Sequence, residues 1–482
     1  MNILAALDDP SLFGPHFKGA SWDRWRAFLA AMFGLPMTGD ALAHYRHHTG
    51  RTEAPAAPFN EVALICGRRG GKSRILATIA VHLATIPDYA ALLAPGETPT
   101  VAVIAADKRQ ARTIFRYIRG LLVNVPLLAP LLAAETAESL TLSNGVMVEV
   151  QTASYRAVRG YTLVAALCDE VAFWRDESSA NPDEEILNAL RPALGTLGGP
   201  LLVASSPYAK RGALYALFRE HWGKDGAEVL VWRGSTAEMN PTFPARIIAK
   251  AYEDDPARAS AEYDALFRED VSGFVTREVV DGCTVPGRYE LPRVPGVRYV
   301  AFCDPSGGSS DSMTLAIAHQ DSRDRTLAVL DAVRECKPPF SPEGVVVEFA
   351  EALKSYGIAR VTGDRYAGEW PRERFRTHGI AYDLADRPKS DLYRDVLPLL
   401  NSGKAELLDL KGVTSQLCGL ERRTARGGRD SIDHSPGAHD DLANSVAGAL
   451  LLAVGKRQGM PVFSAEALAA ITLDPYRSRR YG

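Results

Sequence analysis

The segment FNEVALICGRRGGKSRILATIA runs from β-forming residues through a glycine- and arginine-rich turn into a helical pattern. Such an order predicts a buried strand, a turn and a helix N-terminus, where free backbone N–H groups can bind an anion. A phosphate loop also needs glycines for close approach, a lysine for the outer phosphates and a hydroxyl for Mg²⁺. The residues that meet these needs are Gly67, Arg68, Arg69, Gly70, Gly71, Lys72 and Ser73. The segment therefore predicts a site for ATP and Mg²⁺.

The spacing of this loop differs by one residue from the common GxxxxGK[ST] pattern, which would place its first glycine at Cys66. An ordinary strand-to-helix turn is the alternative interpretation. A second motif favours the phosphate loop, because the apolar run LVAALCDE ends in Asp169 and Glu170. Asp169 is suited to hold Mg²⁺ through water, and Glu170 to orient or deprotonate the attacking water. An acidic strand end that faces solvent is the alternative for this pair.

Two further features belong to the predicted nucleotide site. Ser205-Ser206-Pro207 follows the run PLLVA, so Ser206 is expected near the γ-phosphate, although a simple turn also explains the motif. Arg159 precedes the Asp169 strand and is either a charge-stabilising arginine finger or a solvated loop residue.

From Val62 to Pro207, β-type runs alternate with helical ones, which predicts an α/β fold: a P-loop NTPase parallel sheet with helices on both faces. A second α/β pattern begins at Arg298. There, three strands, a helix over SPEGVVVEFAEALKSYG and a fourth strand, ARVTGD, match the start of a ribonuclease-H-like sheet. The chain of 482 residues also exceeds what a single hydrophobic core normally organises.

The second pattern carries carboxylates at the ends of its elements. Asp304 ends its first strand, Asp364 ends its fourth, and Asp441 begins a helix with an apolar face. Carboxylates that converge from different elements can hold the two Mg²⁺ or Mn²⁺ ions of phosphodiester cleavage. Each aspartate also has an ordinary interpretation as a turn or cap residue. Asp440 competes with Asp441 as the third ligand, since either can cap the helix instead.

Other residues near these carboxylates are weaker candidates. Asp311 and Asp433 are possible extra ligands, but turn and loop roles are favoured for both. His434 and His439 lack a cysteine or second pair at ligand spacing, so zinc is not expected there.

Charge and composition indicate which surfaces can bind DNA and in which compartment the protein is expected. The net charge of −3 gives no global basic signature, so contacts with DNA must come from local clusters such as Arg422, Arg423, Arg426 and Arg429. Six scattered cysteines without a CxxC pair are typical of reduced thiols in a cytosolic protein. No signal peptide and no membrane-spanning run is apparent, so we expect no membrane association.

The loop GRRGGKS with Arg68 four residues before Lys72, the strand LVAALCDE and the turn VASSP precede a carboxylate-bearing second domain. Together these motifs resemble the large terminase subunit of tailed bacteriophages over roughly residues 59–455. The resemblance implies a DNA-translocating ATPase followed by a metal-dependent endonuclease of ribonuclease-H-like fold. Arg68 matches the arginine of that family's deviant loop. The family's pattern of histidine, one variable residue and an acidic ligand favours Asp441 over Asp440.

The resemblance also implies partners and a location. These are double-stranded DNA, the portal protein, the small terminase subunit and a homo-oligomeric ring on the portal, in the cytoplasm of the bacterial host. Two alternatives remain: a helicase-nuclease or transposition and repair enzyme, and an inactive DNA-binding adaptor that docks on the capsid. The predicted divisions are a helical lead-in over 1–58, an ATPase core over 59–207, a lid over 208–270, a linker over 271–297, the nuclease over 298–455 and a basic tail over 456–482.

Overall fold

The computed structural model describes residues 1–153, 160–174, 182–309, 311–364, 369–424, 430–436 and 438–455. They form two compact units. The first comprises residues 1–274 together with 421–438, and the second comprises residues 275–420 together with 439–455. Among the described residues, no helix is both long and apolar enough to cross a membrane. All six cysteines are free thiols.

The first 274 residues contain both helices and strands. The helices are α1 (Ile3–Asp8), α2 (Asp23–Met32), α3 (Gly39–Thr49), α4 (Lys72–Thr85), α5 (Lys108–Asn124), α6 (Pro182–Leu194), α7 (Gly212–His221), α8 (Thr236–Met239), α9 (Ala245–Asp254) and α10 (Pro256–Asp264). The strands are β1 (Glu61–Cys66), β2 (Pro99–Ala105), β3 (Leu132–Glu135), β4 (Ser139–Leu142), β5 (Met147–Thr152), β6 (Thr162–Asp169), β7 (Leu201–Ser205), β8 (Val229–Gly234) and β9 (Val271–Gly273). Short 3-10 helices occupy Gly14–His16, Ala20–Trp22, Ala90–Leu92, Ala129–Leu131 and Val171–Phe173.

The main sheet of the first unit has eight strands in the order β3-β4-β5-β2-β6-β7-β1-β8. From β5 to β8 every neighbouring pair is parallel, whereas β3 and β4 add an antiparallel edge. Both faces of β1 are buried: Val62 and Leu64 pack into one apolar cluster, and Ala63 and Ile65 into another. The predicted parallel sheet with helices on both faces is thus confirmed.

The remaining elements follow in chain order. The helices are α11 (Arg277–Cys283), α12 (Pro342–Ser355), α13 (Trp370–Thr377), α14 (Lys389–Asn401), α15 (Lys411–Gly419) and α16 (Asp441–Val454). The strands are β10 (Thr284–Val285), β11 (Tyr299–Asp304), β12 (Met313–Gln320), β13 (Ala328–Cys336), β14 (Arg360–Gly363), β15 (Ala381–Leu384), β16 (Ala405–Leu408), β17 (Leu420–Thr424) and β18 (Asp430–His434).

A seven-stranded sheet in the order β10-β16-β13-β12-β11-β14-β15 organises the second unit. Strands β11, β12 and β13 are antiparallel neighbours, and β14 pairs in parallel with β11. The predicted order of three strands, a helix and a fourth strand is therefore confirmed, and the run β13-β12-β11-β14-β15 has the strand order of a ribonuclease-H-like sheet.

Residues 271–297, whose glycine, proline and valine content predicts an extended linker, contain regular structure. Within this range lie β9, α11 and β10. Helix α11 forms there because Val280 and Cys283 are buried, a long-range packing effect that local composition does not reveal. Strand β9 pairs with β17, which itself lies next to β18, in a separate three-stranded sheet.

Candidate functional site

The predicted phosphate loop is a tight turn between β1 and α4. The Gly67 N–H donates to the carbonyl of Gly234 at 3.0 Å, and the Gly70 N–H donates to the carbonyl of Gly67 at 3.0 Å. Gly71 has a φ of 111°, in the left-handed region that favours glycine. A Cβ on Gly67 would lie 2.4 Å from Thr236 Oγ1, so only glycine fits there.

Three side chains hold the carbonyls of this loop. Thr236 Oγ1 donates to the Arg68 carbonyl at 2.8 Å, and Asn240 Nδ2 donates to the Arg69 carbonyl at 2.9 Å. Trp25 Nε1 donates to the Gly70 carbonyl at 3.1 Å. With these carbonyls bound elsewhere, the loop has its shape before any ligand arrives, which lowers the ordering cost of binding one.

Lys72, the first residue of α4, meets the acidic end of β6. Its Nζ lies 3.0 Å from Glu170 Oε1 and 3.4 Å from Ser206 Oγ. The second oxygen of Glu170 accepts hydrogen bonds from the Ser205 hydroxyl at 3.2 Å and the Ser206 N–H at 3.4 Å. The structure therefore brings together the three motifs that the sequence singles out for the nucleotide site. Ser73 lies next to Lys72 in the first turn of α4.

Burial and the lysine set the charges of this cluster. Burial raises the pKa of Asp169 to about 6, although the Lys72 ammonium opposes the change. Burial also acts on Glu170, but the attraction of Lys72 prevails and the pKa of Glu170 is lowered. The Oδ1 atom of Asp169 is buried and has no hydrogen-bond partner among the described residues. A buried carboxylate oxygen of this kind, next to a phosphate loop, fits a role in holding hydrated Mg²⁺.

In the second unit, Asp304 and Asp364 lie at the ends of adjacent parallel strands. Cys303 pairs with Gly363, so the residues that follow them lie side by side. The amide Nδ2 of Asn444 donates to Asp304 Oδ2 at 2.9 Å and to Asp364 Oδ2 at 3.2 Å. One amide group thus bridges two of the predicted carboxylates.

Helix α16 brings the third carboxylate to the same place. Its first residue, Asp441, accepts a hydrogen bond from the Ser312 N–H at 3.2 Å through Oδ2. The helix approaches β11 closely, because a Cβ on Gly448 would lie 2.3 Å from the Phe302 ring. A larger residue at 448 would push Asp441 and Asn444 away from the strand ends.

Asp440 has different surroundings from its neighbour. Lys389 Nζ lies 3.1 Å from Asp440 Oδ2, and Tyr393 Oη donates to the same oxygen at 2.9 Å. The Lys389 ammonium and the Tyr393 hydroxyl thus bind the carboxylate of Asp440, which competes with Asp441 as a metal ligand. This arrangement favours Asp441 as the ligand and Asp440 as the residue that anchors the start of α16.

Two of the three carboxylates, those of Asp304 and Asp441, have a raised pKa. Burial raises the pKa of Asp304 well above its usual value, opposed by the Asn444 hydrogen bond and reinforced by Asp441 and Asp364. Burial also raises the pKa of Asp441 to about 6, opposed by the hydrogen bond from Ser312 and reinforced by Asp440. Hard cations such as Mg²⁺ and Mn²⁺ prefer oxygen ligands, so this donor set fits them.

The remaining candidates are less central. His439 Nδ1 lies 3.7 Å from Asp311 Oδ1 and 4.0 Å from Asp441 Oδ2, at the exposed side of the aspartate cluster. Asp433 and His434 belong to β18 in the first unit. Arg159 lies outside the described residues, as do Arg426 and Arg429 of the basic cluster.

No family model matches the sequence, and a search of curated proteins finds no significant match. The structure is similar to solved phage proteins. The large terminase of bacteriophage HK97 aligns with a TM-score of 0.39 and 14% identity over 90% of this chain and 99% of that one. The large terminase of another phage, a thermophilic one, aligns with a TM-score of 0.39 and 11% identity over 90% of this chain and 98% of that one.

A third match covers part of the chain. The large terminase nuclease of thermophilic phage G20c aligns with a TM-score of 0.30 and 18% identity over 36% of this chain and 94% of that one. The chain resembles phage large terminases. At these identities, the likeness concerns the fold alone.

Several residues of the two sites are not among the sequence-based predictions. Asn444 lies three residues after Asp441 on the same face of α16, so helical spacing alone could have revealed it. Trp25 and Thr236 carry no such signal, because they reach the phosphate loop from segments distant in sequence.

Proposed function

We propose that this chain is a terminase large subunit. In this role it drives double-stranded viral DNA into procapsids by ATP hydrolysis and cuts concatemeric DNA with a metal-dependent endonuclease. One observation supports the proposal most: the chain has two separate carboxylate centres, one next to the Lys72 ammonium and one formed by three aspartates beside the Asn444 amide. The first suits phosphoryl transfer, and the second suits phosphodiester cleavage.

In the nucleotide site, we assign the binding of phosphates to the loop N–H groups and to Lys72. Ser73 and Asp169 would hold Mg²⁺, which neutralises the charge that develops on the phosphates. Lys72 binds Glu170 in the structure. When Lys72 turns to the outer phosphates, Glu170 is released to orient the attacking water, and Ser206 loses one of its contacts. The residues assigned to nucleotide binding are Gly67, Arg68, Arg69, Gly70, Gly71, Lys72, Ser73, Asp169 and Ser206.

In the nuclease site, we assign Asp304, Asp364 and Asp441 as the ligands of Mg²⁺ or Mn²⁺. Such ions activate water and stabilise the leaving oxygen. Asn444 positions Asp304 and Asp364 through its bridging amide. Arg159 is proposed as a charge-stabilising residue of the ATPase.

The proposed partners follow from the proposed role. They are double-stranded DNA, the portal protein and the small terminase subunit, with the chain acting as a homo-oligomeric ring on the portal in the host cytoplasm. Binding of the purified chain to portal rings, measured by co-sedimentation, separates this role from that of a helicase-nuclease, for which we expect no binding.

Two variants of the full chain test the assignment of the two centres. We expect Lys72→Ala to abolish DNA-stimulated ATP hydrolysis but to leave Mn²⁺-dependent plasmid cleavage. Conversely, Asp304→Asn should abolish cleavage and leave the ATPase. Removal of a group that acts in the transition state typically costs about 10²-fold or more in rate. Arg360→Ala, at an exposed ion pair with Asp383, is a control that should retain both activities. If Lys72→Ala keeps its ATPase or Asp304→Asn still cuts, the corresponding centre is misassigned.

A further inference from the structure

A histidine and glutamate cluster lies outside both sites, where α3 meets α8. His47 and His48 are adjacent in α3, and Glu238 is the third residue of α8. One potential ligand atom from each of these residues lies within 4.8 Å of the other two. Neither the nucleotide site nor the carboxylate site uses them.

One ring nitrogen of His48 has no hydrogen bond among the described residues. The side chain is fully buried, and its Nδ1 lies 2.8 Å from the Arg233 carbonyl. Since a carbonyl only accepts, Nδ1 carries the proton and donates. The other nitrogen, Nε2, is buried without a hydrogen-bond partner among the described residues. Burial lowers the pKa of His48 to about 4, so Nε2 keeps a lone pair at neutral pH.

Glu238 is oriented in a comparable way. Its Oε2 accepts hydrogen bonds from the Ser235 N–H and the Ser235 hydroxyl, both at 2.8 Å. Its Oε1 lies 2.7 Å from His47 Nε2. Burial would raise the pKa of Glu238, but the hydrogen bonds from Ser235 prevail and lower it to about 2. The carboxylate is therefore charged, with Oε2 fixed by Ser235 and Oε1 turned to His47.

We propose that His47, His48 and Glu238 bind a divalent transition-metal ion, with zinc as the best match. Imidazoles combined with a carboxylate suit zinc, whose fourth position here is open to water because the His47 side chain is 64% exposed. Ligand histidines commonly donate their second ring nitrogen to a carbonyl, and ligand carboxylates are commonly hydrogen-bonded. The Arg233 carbonyl and Ser235 supply these outer contacts.

Binding requires a small local adjustment. Two ligand atoms of a tetrahedral zinc site lie about 3.3 Å apart, given metal–ligand distances near 2.0 Å. The His47 to Glu238 distance of 2.7 Å must therefore widen. His47 can turn outward, because its ring lies at the surface.

The location of the ion gives it a structural role. Helix α8 supports the phosphate loop. Its Thr236 Oγ1 donates to the Arg68 carbonyl. Trp25 Nε1 donates to the carbonyls of both Gly70 in the loop and Met239 in α8. An ion between α3 and α8 would join the N-terminal helices to this support. We expect zinc to raise the melting temperature of the chain, whether or not the loop binds ATP.

Metal titration of the full, chelator-treated chain tests the proposal. Zn²⁺ affinity is measured by competition with a chromophoric chelator, and Co²⁺ serves as a spectroscopic probe of imidazole ligation. We expect one equivalent of Zn²⁺ to be lost in His47→Ala, an exposed position where folding is not at risk, and retained in Asp304→Asn. Ser235→Ala should weaken binding by about 10- to 100-fold, as outer-contact variants of metal sites do.

His44→Ala is the matched control, since His44 lies in the same helix but outside the set of three ligands. It should bind the metal like the unaltered chain. Equal stoichiometry and affinity in His47→Ala and the unaltered chain would overturn the proposal and leave His47 and Glu238 as an ion pair only. Loss of the same equivalent in His44→Ala would contradict the three-residue assignment.

Discussion

The hydroxyl of Tyr208 donates a hydrogen bond of 2.6 Å to Oε2 of Glu421, a carboxylate that is fully buried. Arg211 contacts the other oxygen of the same carboxylate. Tyr208 is two residues after Ser206, which meets Glu170 through its backbone N–H. Strand β17 is therefore attached to the segment that leads out of the nucleotide site.

This buried carboxylate predicts a loss of stability when a partner is removed. Tyr208→Phe leaves one oxygen of Glu421 short of a donor, so we expect unfolding to become easier by about 1–3 kcal/mol. Chemical denaturation of the full chain measures the effect. Tyr289→Phe is the matched control, because Tyr289 is 63% exposed and should change little. Equal stability of the two variants would show that the Tyr208 contact contributes nothing.

Substitutions of the adjacent residues Asp440 and Asp441 should have opposite effects on cleavage and stability. Asp441→Asn removes the proposed ligand, so metal-dependent cleavage should fall by about 10²-fold or more while folding is retained. Asp440→Asn weakens the contacts with Lys389 and Tyr393 instead, and should cost about 1–3 kcal/mol of stability while leaving cleavage within a few-fold. Plasmid cleavage and thermal unfolding are measured on both. The reverse pattern would make Asp440 the ligand.

Two helical glycines form another matched pair. Gly448→Ala places a methyl group against the Phe302 ring, so α16 must shift, at a cost of about 1–3 kcal/mol and with weaker cleavage. Near Gly344, in α12, the closest atom to an added Cβ is 3.9 Å away. Gly344→Ala should therefore stabilise the chain by up to about 1 kcal/mol. Thermal unfolding measures the stability of both variants. If Gly448→Ala changed neither stability nor cleavage, the close approach of α16 to Phe302 would be refuted.

The raised pKa of Asp441 predicts how stability depends on pH when metal is removed. Because the folded pKa of about 6 exceeds the usual value of 3.8, the folded state binds the proton more tightly. The stabilisation from this group is present below pH 4 and lost as the pH rises through 6. In EDTA, Asp441→Asn should become more stable relative to the unaltered chain between pH 4 and 7, measured by melting temperature. A constant difference over that range would argue against the raised pKa.

Metal affinity should depend on pH in the opposite direction to the stability of the metal-free chain. Cation binding requires ionised carboxylates and releases protons, so Mn²⁺ affinity should increase with pH through about 6. Calorimetric titration at several pH values checks this directly. An affinity that does not change between pH 5 and 7 would contradict the raised pKa values of Asp304 and Asp441.

Much of both sites could be predicted from sequence because their residues end or begin regular elements. Asp169 and Asp304 are the last residues of strands with apolar runs, Asp364 follows β14, and parallel neighbouring strands bring such ends together. Strand β8 lies within the predicted lid although its VLVW run is β-type, and the edge strands β3 and β4 are too short to show a strong local pattern. The contacts of His48 and Trp25 also depend on packing between distant segments, which periodicity cannot reveal.

The chain passes between the two units three times, at residues 274/275, 420/421 and 438/439. Recombination between related genes would therefore not exchange these units as independent blocks. A recombination point at residue 275 would unite Tyr208 and Arg211 of one parent with the residue at 421 of the other. Such hybrids are expected to persist only where that residue is a glutamate, so these three positions should be inherited together.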